Sequence, residues 1–261
     1  MAREFDGEIL ACEPVMGDST LMTVTLPRGM AGGMAAGQFV QILTRMDGSH
    51  DPLLRRPYSV YGVDPETETM RLLVRPYGRG SAWLAERQVG QTLDILGPLG
   101  NAFDISPRAR NLLMVAGGVG AAPLVMLSEQ ALARGLSVTY LMGGMTAEAL
   151  LAPSLVPAAV EYVVATDDGS RGHRGFVTDL VPDYLSWADQ IFACGPEAMF
   201  LSLRGVVTKH RVGGKPSVQV SVERGMACGL GACLGCVVET KRGMRTSCVD
   251  GPIYDMDEVV W

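Results

Sequence analysis

Hydrophobic residues fall into two textures along this chain. Over the first hundred positions they come in short runs rich in β-branched residues and leucine: "LMTVTLP" (21–27), "QFVQILT" (38–44), "YSVYGVD" (58–64), "MRLLVRP" (70–76) and "QTLDILGP" (91–98). Glycine, proline and aspartate separate the runs at the spacing expected of an antiparallel barrel. One short helix is predicted there, starting near Ser81 in "SAWLAER".

From about Arg110 strand-like and helix-like patterns alternate. "NLLMVA" (111–116) reads as a buried strand, "GGVGAAP" (117–123) as a glycine-rich turn, and "LVMLSEQALARG" (124–135) as a helix closed by Gly135. "LSVTYLMGG" and "EYVVATDDG" predict two more strands, "FVTDLVPDYL" (176–185) a helix, and "QIFACGP" (190–196) a strand ending in a tight turn. This alternation predicts a doubly wound, Rossmann-like α/β sheet. The remainder, from about residue 210, is too short to hold a core without a staple.

Composition narrows the function classes. The 261 residues carry 22 basic and 28 acidic side chains, a net charge of −6, with no basic run to recommend a nucleic-acid surface. Gly117, Gly118, Gly120 and Pro123 interrupt the longest uncharged stretch, Leu112 to Ser128, so no membrane span is expected. The N-terminus "MAREFDGEIL" lacks the apolar core of a signal peptide, which points to the cytoplasm. Six cysteines in a reducing compartment favour metal ligands or free thiols over disulfides.

Three of those cysteines crowd into "MACGLGACLGC" (226–236). Cys228, Cys233 and Cys236 are spaced C-x4-C-x2-C, with Cys248 eleven residues on. That leading spacing with a distant fourth cysteine is the plant-type [2Fe–2S] pattern. Zinc is the alternative, though four-cysteine zinc sites usually pair two short knuckles. Cys12 reads as a small buried hydrophobe, whereas Cys194 with Gly195 and Pro196 ends a strand, where ligands of open α/β sheets lie.

Gly117, Gly118 and Gly120 stand between a strand and a helix, where a pyrophosphate can approach backbone amides. A tight turn required by packing would read the same way. A nicotinamide moves two electrons as hydride and an iron–sulfur cluster moves one, so a chain with both needs a mediator, for which flavin is usual. The candidate flavin residues are Arg56 for the pyrophosphate, Tyr58 against a ring or ribose, Ser59 at the flavin edge, and Gly80 with Ser81 at a phosphate. An ordinary strand with an exposed arginine is the alternative.

"RPYS" (56–59), "GGVGAAP" (117–123) and "CGP" (194–196), in this order, resemble the ferredoxin reductase-like flavoproteins over essentially the whole chain. With "ERGMACGLGACLGC" (223–236) and "CVDGP" (248–252), the chain resembles the electron-transfer subunits of type B class 1 dihydroorotate dehydrogenases; "LGPLGNAFDI" (96–105) is similar to that family's link between barrel and nucleotide domain. The resemblance implies a six-stranded FAD-binding barrel over 1–105, an NAD-binding α/β domain over 106–210 and a small [2Fe–2S] domain over 211–261. It implies that Arg56, Pro57, Tyr58, Ser59, Leu73, Val74, Arg75, Gly80 and Ser81 contact FAD, and that the four cysteines hold the cluster. It also implies an FMN-containing catalytic subunit that oxidises dihydroorotate, assembled with this one as a heterotetramer. Similar subunits serve sulfide dehydrogenases, hydrogenases and electron-bifurcating NADH-dependent ferredoxin:NADP+ oxidoreductases. Asp167 and Asp168 would repel a 2′-phosphate, while Arg171, His173 and Arg174 could attract one; NAD is expected, as in the family. No catalytic base is expected, since hydride transfer to flavin needs none, and His173 reads as a surface residue.

Overall fold

The computed structural model describes residues 2–46, 48–210 and 216–261. Its first six strands close into an antiparallel barrel. β1 (Arg3–Met16) and β2 (Ser19–Thr25) form a hairpin turned at Gly17, which takes a φ of +52°. β3 (Phe39–Ile42), β4 (Arg56–Asp64), β5 (Thr69–Val74) and β6 (Thr92–Leu99) complete the barrel in the order β1-β2-β5-β4-β3-β6. Side chains alternate across a pleated strand. Met70, Leu72 and Val74 of β5 and Val40 and Ile42 of β3 are fully buried on the inward set. The short helix α1 spans Arg79–Ala85, beginning two residues before the expected Ser81.

The second half builds around β7 (Asn111–Gly117), α2 (Ala121–Ala133), β8 (Ser137–Gly144), β9 (Glu161–Thr166) and β10 (His173–Arg174). β11 (Gln190–Cys194), α3 (Glu197–His210) and β12 (Ser217–Ser221) follow. A hairpin of β13 (Val237–Thr240) and β14 (Gly243–Thr246) precedes the last strand, β15 (Ile253–Asp255). The seven-stranded sheet runs β10-β9-β8-β7-β11-β12-β15, parallel up to β12 with β15 antiparallel at its edge. Strand order reverses direction between β7 and β11, the crevice where open α/β sheets bind ligands. β12 and β15 both come from the 211–261 stretch, so the cysteine segment is bracketed by strands of this sheet.

Gly135 takes a φ of +73° and closes α2, as its position in the sequence predicts. The helix expected over 176–185 is instead two single 3-10 turns, Val177–Asp179 and Val181–Tyr184. Pro182 lacks the amide hydrogen an uninterrupted helix would need there, and it serves as an early residue of the second turn.

Each buried strand feeds both faces of the sheet. Leu112, Met114 and Ala116 of β7 join a core continuous with α2 and the barrel interior, while Leu113 and Val115 join the core under α3. The link from barrel to sheet is strapped down by paired side-chain bonds. Gln219 Nε2 and Gln190 Nε2 donate to Asp104 O at 2.9 and 2.8 Å, and their Oε1 atoms accept from Asp104 N–H and Ser106 N–H, each at 2.9 Å. Asn101, in the same link, donates from Nδ2 to Val249 O and Asp250 O at 3.1 and 2.9 Å. The link thus touches all three regions of the chain.

Candidate cofactor and nucleotide sites

Cys228, Cys233 and Cys236 lie on the loop before β13, and Cys248 follows β14. Gly229, Gly231 and Leu234 take φ of +72°, +77° and +54°, so the loop reverses repeatedly through the left-handed region. These reversals aim amides at sulfur. Leu230 N–H donates to Cys228 Sγ at 3.4 Å, Gly231 N–H to Cys248 Sγ at 3.2 Å, and Gly235 N–H to Cys233 Sγ at 3.4 Å. The thiols fall into two neighbouring pairs, Cys228 with Cys233 and Cys236 with Cys248. Amide donation from Leu230 and Cys233 draws the Cys228 thiol down to about 6, whereas burial, then the Cys236 neighbour, pushes Cys248 up to about 11.

No group of three or more His, Cys, Asp or Glu among the described residues is gathered as a single metal ion would need. Two cysteine pairs instead suit two irons carrying two thiolates each. The donor set and its amide cradle therefore fit a [2Fe–2S] group. Cys236 and Cys248 are buried against Phe39 and Leu99 of the barrel, while Cys233 is exposed.

The barrel carries a second set of waiting polar groups. Tyr58 Oη and Thr44 Oγ1 are buried with no hydrogen-bond partner. Burial pushes the Tyr58 phenol up to about 12, with Arg56 pulling the other way. A Cβ built on Gly80 would lie 2.6 Å from Thr44 Oγ1 and 3.2 Å from Arg56 Cγ, so α1 starts in close contact with both only because residue 80 is bare. Buried hydroxyls without partners cost about 1–3 kcal/mol each, a cost a polar ligand would remove. Arg56, Tyr58, Thr44 and Gly80 fit a flavin nucleotide on these grounds. Pro57 and Ser59 flank Tyr58 on β4, and Leu73 and Val74 are buried in β5. Two expected contacts are otherwise engaged: Arg75 pairs with Asp18 at 3.1 Å, and Ser81 Oγ accepts the N–H groups of Tyr77 and Gly78 at 2.8 and 2.9 Å.

At the strand reversal, Cys194 lies in register with Ala116. A Cβ on Gly120 would stand 2.3 Å from Cys194 O, and one on Gly117 would stand 2.9 Å from Pro196 Cδ. Packing of the 194–196 turn thus dictates two of the three glycines. Gly118 differs, with a φ of +55° and nothing within 4 Å of its missing Cβ. Its peptide lies just ahead of α2, with open space where its side chain would be.

Comparison with known proteins decides the family. A model described as the iron-sulfur cluster binding domain of dihydroorotate dehydrogenase B matches residues 223–260, and an oxidoreductase FAD-binding domain matches 7–103. The dihydroorotate dehydrogenase B (NAD(+)) electron transfer subunit of Bacillus caldolyticus is 38% identical over 229 residues, 86% of each chain. That of Geobacillus sp. (strain WCH70) is 36% identical over 231 residues, 87% of each. The chain belongs to this electron transfer subunit family. A chain from the structure of the NADH-dependent reduced ferredoxin-NADP oxidoreductase is also similar, with a TM-score of 0.83 and 29% identity, covering 98% of this chain and 90% of that one.

Within the family fold, several placements refine the sequence reading. Cys194 is 1% exposed; burial, then the Glu223 carboxylate, pushes its thiol well up, with the Ser221 hydroxyl opposing. Glu223 opens the quoted cysteine stretch, where motif spacing assigns it no role. Its side chain is exposed, while desolvation by the surrounding protein raises its carboxyl. Thr44 was likewise missed, since a lone threonine after a strand carries no signal. Asp167 and Asp168 are both exposed beyond β9, but Asp168 accepts from Ser170 N–H and Oγ at 2.9 and 2.6 Å and so shapes its own turn. His173 is exposed, 3.5 Å from Asp179, and Cys12 sits half-buried with its thiol 3.6 Å from Arg87 O. No helix among the described residues is long and apolar enough to cross a membrane.

Proposed function

We propose that this chain is the relay subunit of a dihydroorotate dehydrogenase: it accepts electrons from an FMN-containing catalytic subunit and delivers them to NAD+, within a heterotetramer serving pyrimidine biosynthesis. The observation that carries this reading is the seating of the Cys236–Cys248 pair directly on the flavin barrel. Cys236 and Cys248 share one buried cluster with Phe39 of β3 and Leu99 of β6, and Phe39 is in register with Ser59 of β4. Nicotinamide supplies two-electron hydride chemistry, the cluster one-electron transfer, and the flavin the exchange between them.

The chain's own residues divide the work. Cys228, Cys233, Cys236 and Cys248 hold the cluster, and the Leu230, Gly231 and Gly235 amides offset its negative charge. Arg56 and the bare start of α1 take the FAD pyrophosphate, with Thr44 and Tyr58 meeting its polar atoms. Gly118 admits the NAD pyrophosphate, Asp167 favours a ribose hydroxyl over a 2′-phosphate, and Cys194 keeps water from the crevice wall. Leu230, Leu234 and Val249 are 56%, 64% and 50% exposed around Cys233, an apolar rim suited to the catalytic subunit.

The test is anaerobic purification of the tagged protein from its host, with iron, flavin and partner analysis. Two irons and one FAD per chain, with a dihydroorotate-oxidising FMN subunit in equal amount, are expected. A colourless protein overturns the redox reading. A different redox partner would keep the cofactor sites and favour the second reading, a subunit like that of the NADH-dependent reduced ferredoxin-NADP oxidoreductase, to which this chain is similar over 98% of its length.

A further inference from the structure

Gln41 is fully buried, and neither its Oε1 nor its Nε2 has a hydrogen-bond partner. A carboxamide offers two donors and two acceptor sites, so its whole capacity is unused. The residue sits on β3, in register with Pro57 of β4 and Leu96 of β6. By strand alternation it shares the outward face with Phe39, while Val40 and Ile42 fill the barrel. Its neighbours Phe39, Leu96 and Leu99 are apolar, and a leucine or methionine would serve packing at lower cost.

What the carboxamide touches is the cysteine loop. A Cβ built on Gly229 would lie 2.8 Å from Gln41 Nε2 and 3.0 Å from its Cδ. Gly229 is buried and follows Cys228 directly. Residue 229 is therefore bare for two reasons: its φ of +72° and the carboxamide pressed against it. The amide donors to sulfur all come from the loop itself. Gln41 adds an unspent donor from the barrel, on the side facing the candidate flavin residues.

We propose that Gln41 is the barrel's hydrogen-bond donor to the sulfur of the bound cluster on its Cys228 side, and that it raises the cluster's reduction potential. The inference rests on the reading of 228–248 as a cluster segment. Reduction adds one electron to a group already carrying thiolates, and a donor at sulfur stabilises the added charge. Removing the donor makes reduction harder. Because the donor belongs to the flavin domain, the barrel tunes the cluster it is meant to exchange electrons with.

The experiment compares wild type with Gln41→Leu and Gln41→Glu, each loaded and kept anaerobic. The readouts are iron content, cluster midpoint potential by EPR-monitored titration, and melting of the metal-free chain. Gln41→Leu should keep its iron and melt no lower without metal. Its reduced-to-oxidised ratio at a fixed ambient potential should fall about tenfold, about 59 mV for one electron. Gln41→Glu, an acceptor when ionised, should shift further in the same direction. A loaded variant with the wild-type potential overturns the proposal. Wild-type protein labelled with 15N in the glutamine side chain gives an independent answer: pulsed EPR of the reduced cluster should show a 15N coupling, and its absence overturns the proposal even if the variants do not load. A wild-type chain that binds no iron overturns the proposed function itself.

Discussion

The glycines of the 117–120 turn and those of the 226–236 loop occupy their positions on different physical grounds. Gly117 and Gly120 are bare because the 194–196 turn leaves no room for a Cβ. Gly229 and Gly231 are bare first because the chain reverses through positive φ to aim amides at thiols, with the Gln41 carboxamide crowding residue 229 besides. The first pair serves the contact between two strand ends, the second the chemistry of a ligand. A glycine-rich turn is thus ambiguous in sequence, whereas glycine interleaved with cysteine at metal spacing is not.

The largest effect that sharpens this contrast comes from the ligands. Cys248→Ser should abolish iron loading while leaving FAD content unchanged, as measured by metal analysis and the visible spectrum. Next is Gly120→Ala, whose Cβ would meet the Cys194 carbonyl. It should cost about 3 kcal/mol, lowering Tm by roughly 6 °C or more. Gly229→Ala should cost about 2 kcal/mol through left-handed strain and crowding of Gln41, with reduced iron content as its distinguishing mark. Gly118→Ala, with open space but a φ of +55°, should cost only about 1 kcal/mol. A loss as large as that of Gly120→Ala would break the comparison, because packing would then govern all three positions.

The smallest effect is chemical. In the metal-free chain Cys228, held down to about 6, should be alkylated at a rate that is maximal above neutral pH and falls as pH drops through about 6. Cys248, buried and raised to about 11, should stay unreactive across that range. Mass spectrometry of iodoacetamide-treated protein reads both.

The parts legible in sequence are those where local spacing encodes the physics. The barrel's six strands are what the family resemblance implies, whereas an antiparallel barrel, the strand–turn–helix at 111–133 and the four cysteines follow from short-range patterns. Gln41 does not, because its meaning arises only when β3 meets a loop nearly two hundred residues later. Asp167 and Asp168 are indistinguishable as letters, and the Ser170 turn separates them. The 176–185 helix fails for a legible reason, Pro182, whose missing donor outweighs the apolar periodicity around it.

The link over 100–106 has a kinetic consequence. Gln190, Gln219 and Asn101 bind it to the sheet and to the backbone beside Cys248. With barrel, sheet and cysteine loop fastened to one short strap, the gap between flavin and cluster is set by the fold and is not a distance the domains must travel. Such a subunit works as a wire rather than a shuttle, with its throughput insensitive to solvent viscosity until the partner docks or nucleotide leaves.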